Sequence, residues 1–138
     1  MEHISAKEFR NKYSFKKGRV KASRANKLNN KKIQIDGFTF DSMLEADYYT
    51  HLKLLKKLGD VLHFHLQPKY VLQEGFYKDG KYIRPITYKA DFLVFYADKH
   101  VEVVDTKGFE TQQFKIKRKM FEDRYPELEL KIVKLGDF

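Results

Sequence analysis

Val101-Glu102-Val103-Val104-Asp105-Thr106-Lys107-Gly108 is the stretch on which the fold of this chain turns. Its β-branched run predicts a buried strand over 101–105. Side chains alternate faces along a strand, so Asp105 and Lys107 point the same way. A carboxylate that can hold a divalent cation then stands beside an ammonium that can handle a water. That pairing is the equipment of a metal-dependent phosphodiesterase. Taken alone, Lys107 also reads as a surface lysine at a strand end.

Upstream, Ala90-Asp91-Phe92-Leu93 begins a second apolar run, and the spacing predicts a strand over 86–96 hairpinned to 101–105. With Ala97-Asp98-Lys99 as a three-residue loop, Leu93 faces Val103, Phe95 faces Val101 and Asp91 faces Asp105. Two facing carboxylates repel unless a cation lies between them. The plainer alternative is an exposed polar strand end.

The remaining elements follow from periodicity and punctuation. Ile33, Ile35, Phe38 and Phe40 alternate with polar residues around Asp36-Gly37, a hairpin signal. Ser42 and Glu45 have capping-box spacing, Leu44, Tyr48, Leu52 and Leu55 recur at helical spacing, and Gly59 stops the pattern. A strand starts at Val61, with Leu62, Phe64 and Leu66 on one face and His63, His65 and Gln67 on the other. Pro68 interrupts it, and Tyr70-Val71-Leu72 continue it. Lys78-Asp79-Gly80-Lys81 marks a tight turn. A last helix runs from Thr111 on Phe114, Phe121 and Tyr125 and ends at Pro126, and 128–135 reads as a final strand. The order helix, three strands, helix, strand predicts a mixed α/β fold. Glu45 falls on or beside the buried helical stripe, where a carboxylate needs a partner or a metal. His63 and His65 lack a third ligand and read as a solvated or interface face.

Composition sets the frame. The chain has 138 residues, enough for one domain with a core, and no cysteine, which excludes disulfides and thiolate zinc sites. No apolar run approaches membrane-spanning length and no secretory leader is recognisable, so a soluble cytoplasmic protein with no membrane partner is expected. The net charge of +9 resides in residues 1–32, where eleven basic residues meet only Glu2 and Glu8; the remainder is neutral. The expected organisation is a basic, flexible arm over 1–32 and one domain over 33–138. Lys16, Lys17, Arg19, Lys21 and Arg24 make the arm a candidate for nucleic-acid phosphates, the alternative being a solubilising tail. Lys115, Arg118 and Lys119 on the last helix are further candidates, against a solvated helix face.

Glu45, Asp91 and Asp105-x-Lys107, in that order across a helix and two strands, resemble the PD-(D/E)xK nuclease superfamily. Asp41-Ser42, Gln67-Pro68-Lys69, Arg84-Pro85-Ile86-Thr87-Tyr88 and Ala90-Asp91-Phe92 look like a small phage and prophage family formerly of unknown function, related to junction-resolving endonucleases and to a transposase nuclease subunit. Ala90 stands where the superfamily name has Pro. The resemblance implies a restriction-endonuclease-like mixed-sheet core and a Mg²⁺- or Mn²⁺-dependent DNA endonuclease of phage or prophage origin. It implies a preference for branched or junction DNA, action as a homodimer, and work in the host-cell cytoplasm. Two alternatives stay open: a noncatalytic DNA-binding accessory protein on the same fold, and a catalytic subunit of a larger recombination or transposition complex.

By the same resemblance Asp91 and Asp105 would ligate the metal, with the Thr106 carbonyl as a third ligand and Glu45 binding directly or through water. Lys107 would position or deprotonate the attacking water. Gln67 would reach the same site, or else only cap the turn at Pro68. Tyr48, Tyr49 and Tyr88 read as core or core-edge residues, some able to stack on bases.

Overall fold

The computed structural model describes residues 32–138. The basic arm, with Lys16, Lys17, Arg19, Lys21 and Arg24, lies outside the described residues. From the amino end the elements are β1 (Ile33–Ile35), β2 (Phe38–Phe40), α1 (Met43–Leu58), β3 (Val61–Leu66), β4 (Lys69–Gln73), β5 (Phe76–Lys78) and β6 (Lys81–Ile83). They continue as β7 (Ile86–Lys89), β8 (Phe92–Tyr96), β9 (Val101–Thr106), α2 (Gln112–Arg124) and β10 (Glu129–Val133). The described part is a mixed α/β fold whose central sheet has the order β10-β9-β8-β3. The β3–β8 and β8–β9 pairs are antiparallel, and β10 lies parallel to β9 after the crossover through α2.

β9 sits inside the sheet and is buried from Glu102 through Asp105. Alternation divides its neighbours between two layers. Phe92, Val94, Val104 and Val133 pack with Ala46, Tyr48, Tyr49 and Leu52 of α1. Val103 and Leu130 pack with Phe114 and Phe121 of α2, joined by Tyr88 and Ala90. Each helix is capped by local chemistry. Ser42 Oγ accepts from the Glu45 N–H at 3.1 Å, and Gly59 closes α1 at φ 91°, a left-handed cap that costs glycine little. Thr111 caps α2 through the Phe114 N–H.

The β8–β9 register is the expected one, with Leu93 opposite Val103 and Phe95 opposite Val101. Tyr96 closes the three-residue loop on His100, and Lys99 takes the left-handed conformation at φ 74°. The turns at Asp36-Gly37 and Asp79-Gly80 also form as expected, each with two positive φ angles, the conformation of a tight hairpin.

Four expectations need correction. Leu62 is exposed and does not share a face with Phe64 and Leu66, because a register shift between Val61 and His63 places Val61 in the core instead. Residues 86–96 do not form one strand, and Tyr70-Val71-Leu72 do not extend β3 within its sheet. Both ribbons break at one level: Gln67 turns left-handed at φ 52° before Pro68, opposite Ala90-Asp91. Beyond the break β4 and β7 pair as a separate two-stranded sheet. Gln67 N–H to Asp91 C=O at 2.8 Å and Ala90 N–H to Pro68 C=O at 3.0 Å hold the bend together. Finally, the last strand is shorter than 128–135, spanning Glu129–Val133. No helix among the described residues is long and apolar enough to cross a membrane.

Candidate active site

The bend opens the end of β8 beside β9, and the acidic residues gather there. Asp105, the penultimate residue of β9, is 2% exposed. The Tyr88 hydroxyl donates to its Oδ2, and Lys107 Nζ lies 3.4 Å from its Oδ1. Lys107 and Asp105 thus share a face, as strand alternation requires. The ammonium also sits 4.7 Å from the centre of the Phe114 ring, a cation–π contact that fixes it from the α2 side.

Asp91 is placed differently from expectation. The ladder ends at Phe92 opposite Val104, and the Asp91 N–H goes to the Val104 carbonyl at 3.0 Å. Asp91 therefore leaves the strand geometry one residue before it would face Asp105. Its Oδ2 accepts from both the Thr106 N–H and the Thr106 hydroxyl, each at 2.7 Å. Thr106 is thus oriented by the carboxylate it was expected to accompany. In an extended strand the N–H and C=O of one residue project from the same edge. The Lys107 N–H bonds Val133 on the β10 side, so the Thr106 carbonyl projects toward Asp91.

Glu45 enters from the first turn of α1, 5% exposed, with Oε2 accepting from the Asp41 N–H at 3.3 Å. Burial raises its pKa to about 7, and the negative charges of Asp91, Asp41 and Asp105 add to the rise. Asp105 is raised to about 6, chiefly by burial; the Tyr88 hydroxyl opposes this, the Asp91 charge adds to it, and Lys107 opposes it. Burial and Asp105 push the Tyr88 phenol far upward, so it stays a donor. The site is therefore a cluster of partly buried carboxylates that resist joint ionisation.

Such a cluster calls for protons or a cation. The donors are hard oxygens, as Mg²⁺ and Mn²⁺ prefer, and no soft ligand intrudes. Among the described residues, however, no group of three or more His, Cys, Asp or Glu side chains is already arranged to hold a metal ion. The donor set fits the cation in chemistry, while Asp91 is presently engaged by Thr106 and Asp105 by Tyr88 and Lys107.

Gln67 reaches this region through its backbone bond to Asp91. Lys115 and Lys119 are exposed on α2, and Arg118 is held by Glu110 and Glu122. It is Lys117 and Lys89 that join Lys107, Tyr88 and Phe114 around a recess of about 250 Å³. Lys117 lies three residues after Phe114, one step along the buried stripe, so helical spacing already carried its signal. Tyr88, expected in the core or at its edge with stacking on bases as a further possibility, gave no signal of its bond to Asp105, because the bend that brings it there is not legible in local pattern.

Searches of curated proteins and of solved structures each gave no match. Residues 25–137 match the model of DUF1064, described as a protein of unknown function, and the chain belongs to that family.

Proposed function

We propose that this chain is a Mg²⁺- or Mn²⁺-dependent DNA endonuclease, built on a restriction-endonuclease-like core and selective for branched or junction DNA. The observation that carries this is the gathering of Glu45, Asp91 and Asp105 around one strand end, with Lys107 on the same face as Asp105. Glu45, Asp91, Asp105 and the Thr106 carbonyl would hold the ion. When bound, it would supply positive charge to a phosphodiester and to the attacking water. Lys107, steered by Asp105 and Phe114, would orient that water and steady charge on the phosphoryl oxygens during in-line attack. Tyr88 fixes one oxygen of Asp105 and keeps it from rotating. Phage or prophage origin, a homodimer cutting two strands in step and a cytoplasmic site of action remain part of the proposal.

One observation favours the noncatalytic alternative: the carboxylates are not already arranged as a three-ligand metal site among the described residues. Incubating the purified chain with Mg²⁺ or Mn²⁺ and linear, flapped, single-stranded and four-way DNA separates the two. Cleavage of none of them would sink the nuclease proposal for the isolated chain. Cleavage only on adding another subunit would favour a role within a larger recombination or transposition complex.

Metal binding has its own signature in stability. Folding raises the pKa of Glu45 from 4.5 to about 7 and of Asp105 from 3.8 to about 6. The folded chain therefore binds protons more tightly than the unfolded chain, and stability falls as pH rises from about 4 to about 7. Above that range both groups carry charge in a buried site beside Asp91, a cost that a divalent cation relieves. Mg²⁺ is expected to raise the melting temperature by several degrees at pH 8 and by little at pH 5. Equal shifts at both pH values, or none, would count against the metal site.

The basic arm is proposed to bind DNA phosphates. Deleting residues 1–32 is expected to weaken DNA affinity and to lower the slope of log K against log salt by roughly 0.9 per lost duplex contact. An unchanged slope with loss of a dimer, seen by sedimentation, would make the arm an assembly element.

A further inference from the structure

Two recesses adjoin along the groove between β7 and α2. The first, beside the candidate centre, has Lys89, Lys107 and Lys117 around it. The second, of about 440 Å³, is lined by Pro85, Ile86, Ile116 and Met120. Gln113 and Lys117 border both, so the two form one track with a cationic part and an apolar part. Ile116 is 61% exposed and Ile86 37% exposed, large apolar side chains left without cover.

The charges of this track are available. Among the described residues neither Lys89 nor Lys117 forms an ion pair, and Lys107 pairs only with Asp105. Arg118, next in sequence to Lys117 but turned away from the track, is neutralised by Glu110 and Glu122. Lys115 and Lys119 of α2 are exposed and make no ion pair among the described residues either, but of the helix lysines it is Lys117 that borders the recesses. An occupant must carry repeated negative charge and, within reach of it, a flat apolar group. A nucleic-acid strand has both. In a duplex the base faces are stacked and hidden, so only an unpaired nucleotide can lay one against Ile86 and Ile116.

We infer that the β7–α2 groove seats an unpaired nucleotide next to the candidate centre, with Lys89 and Lys117 on the strand's phosphates and Ile86 and Ile116 against a base. This rests on the DNA-cleaving function proposed above and names its substrate class: DNA with a single-stranded segment beside the cut bond, as at a flap or branch. Gln113, at the junction of the two recesses, is placed to hydrogen-bond the edge of the seated base.

The test is fluorescence anisotropy with the full chain, without divalent metal, using a labelled thymidine oligonucleotide and a blunt duplex. Ile116→Glu places a charge in the apolar recess at an exposed position, so the fold is retained; thermal melting checks this. It is expected to weaken binding of the single strand at least roughly fivefold, the loss of one base contact, and to leave the blunt duplex within about twofold. Lys117→Ala is expected to weaken single-strand binding and to lower its salt slope by roughly 0.7. Lys57→Ala, at an exposed position of α1 on the other face of the central sheet from α2, should stay within about twofold. The inference is overturned if Ile116→Glu affects strand and duplex alike or neither, or if Lys57→Ala costs as much as Lys117→Ala. Failure of the native chain to bind the strand also overturns it. So does displacement by polyglutamate as effective as by unlabelled strand, since the groove would then take any polyanion. If the variants behave as expected but the chain cuts no DNA in the panel, the nuclease proposal fails and the groove stands. If it cuts and the variants bind normally, only the groove fails.

Discussion

Asp105→Asn is expected to lower DNA cleavage on the order of 10³-fold or more while DNA binding survives or tightens. The substitution keeps the shape of a side chain that is 2% exposed and leaves an oxygen to accept from the Tyr88 hydroxyl. What it removes is the charge. Without it the site loses a metal ligand, and an incoming phosphate meets less repulsion. The same change has an opposite effect on folding. Burial makes an ionised Asp105 costly, and its charge also adds to those of Asp91 and Asp41 near Glu45, so removing it should relieve the site. The variant is expected to be more stable than the native chain at pH 8 without metal, by about 1–3 kcal/mol, and nearly equal to it at pH 4, where both groups are protonated. Its response to Mg²⁺ should vanish.

Opposed signs in activity and stability distinguish a metal site from a structural ion pair. If Asp105 only anchored Lys107, losing it would destabilise the chain at every pH above the ordinary carboxylate range. Near-normal turnover in Asp105→Asn, or in the companion Asp91→Ala, would end the assignment of these residues to catalysis. Glu45→Gln extends the comparison to α1. Unchanged cleavage at all Mg²⁺ concentrations would leave Glu45 as a helix-terminus residue bonded to Asp41, with no part in the chemistry.

The sequence was informative wherever a short-range rule governs. Ser42, Glu45 and Gly59 announce α1 because capping acts within one turn, and the Ala97-Asp98-Lys99 loop sets the hairpin register because its length leaves one pairing. It was misleading where two distant segments act together. Neither Gln67-Pro68 nor Ala90-Asp91 alone says that the ribbon bends; the bend arises because the two irregular points lie opposite each other. Its consequences were hidden for the same reason: Asp91 turning to Thr106, and Tyr88 swinging under Asp105. Leu62 was misplaced by a single extra residue in the ladder, which reverses the faces before it. On α2 the aromatic stripe follows from helical spacing, but which of its basic residues borders the site depends on the packing of β7 against the helix, and that brings Lys117 there instead of Lys115, Arg118 or Lys119.

Lys107→Ala is expected to lower cleavage on the order of 10²-fold, as for loss of a positioned electrostatic donor. Lys107 Nζ lies 3.4 Å from Asp105 and 4.7 Å from the Phe114 ring centre, so its direction is set by partners that do not depend on substrate. Truncation also removes a charge that holds the Asp105 pKa down. The pH midpoint of the residual cleavage should therefore move upward, since Asp105 keeps its proton to higher pH. Lys107→Arg separates the two roles proposed for the ammonium. Arginine keeps the positive charge but does not give up a proton near neutral pH. If Lys107 acts by charge and orientation, arginine should restore much of the rate and return the midpoint toward its native value. If Lys107 must take a proton from the water, arginine should remain as slow as alanine while still restoring the midpoint. A rate and a midpoint both unchanged in Lys107→Ala would make the lysine a bystander at a strand end, the plain alternative that the Asp-x-Lys spacing alone leaves open.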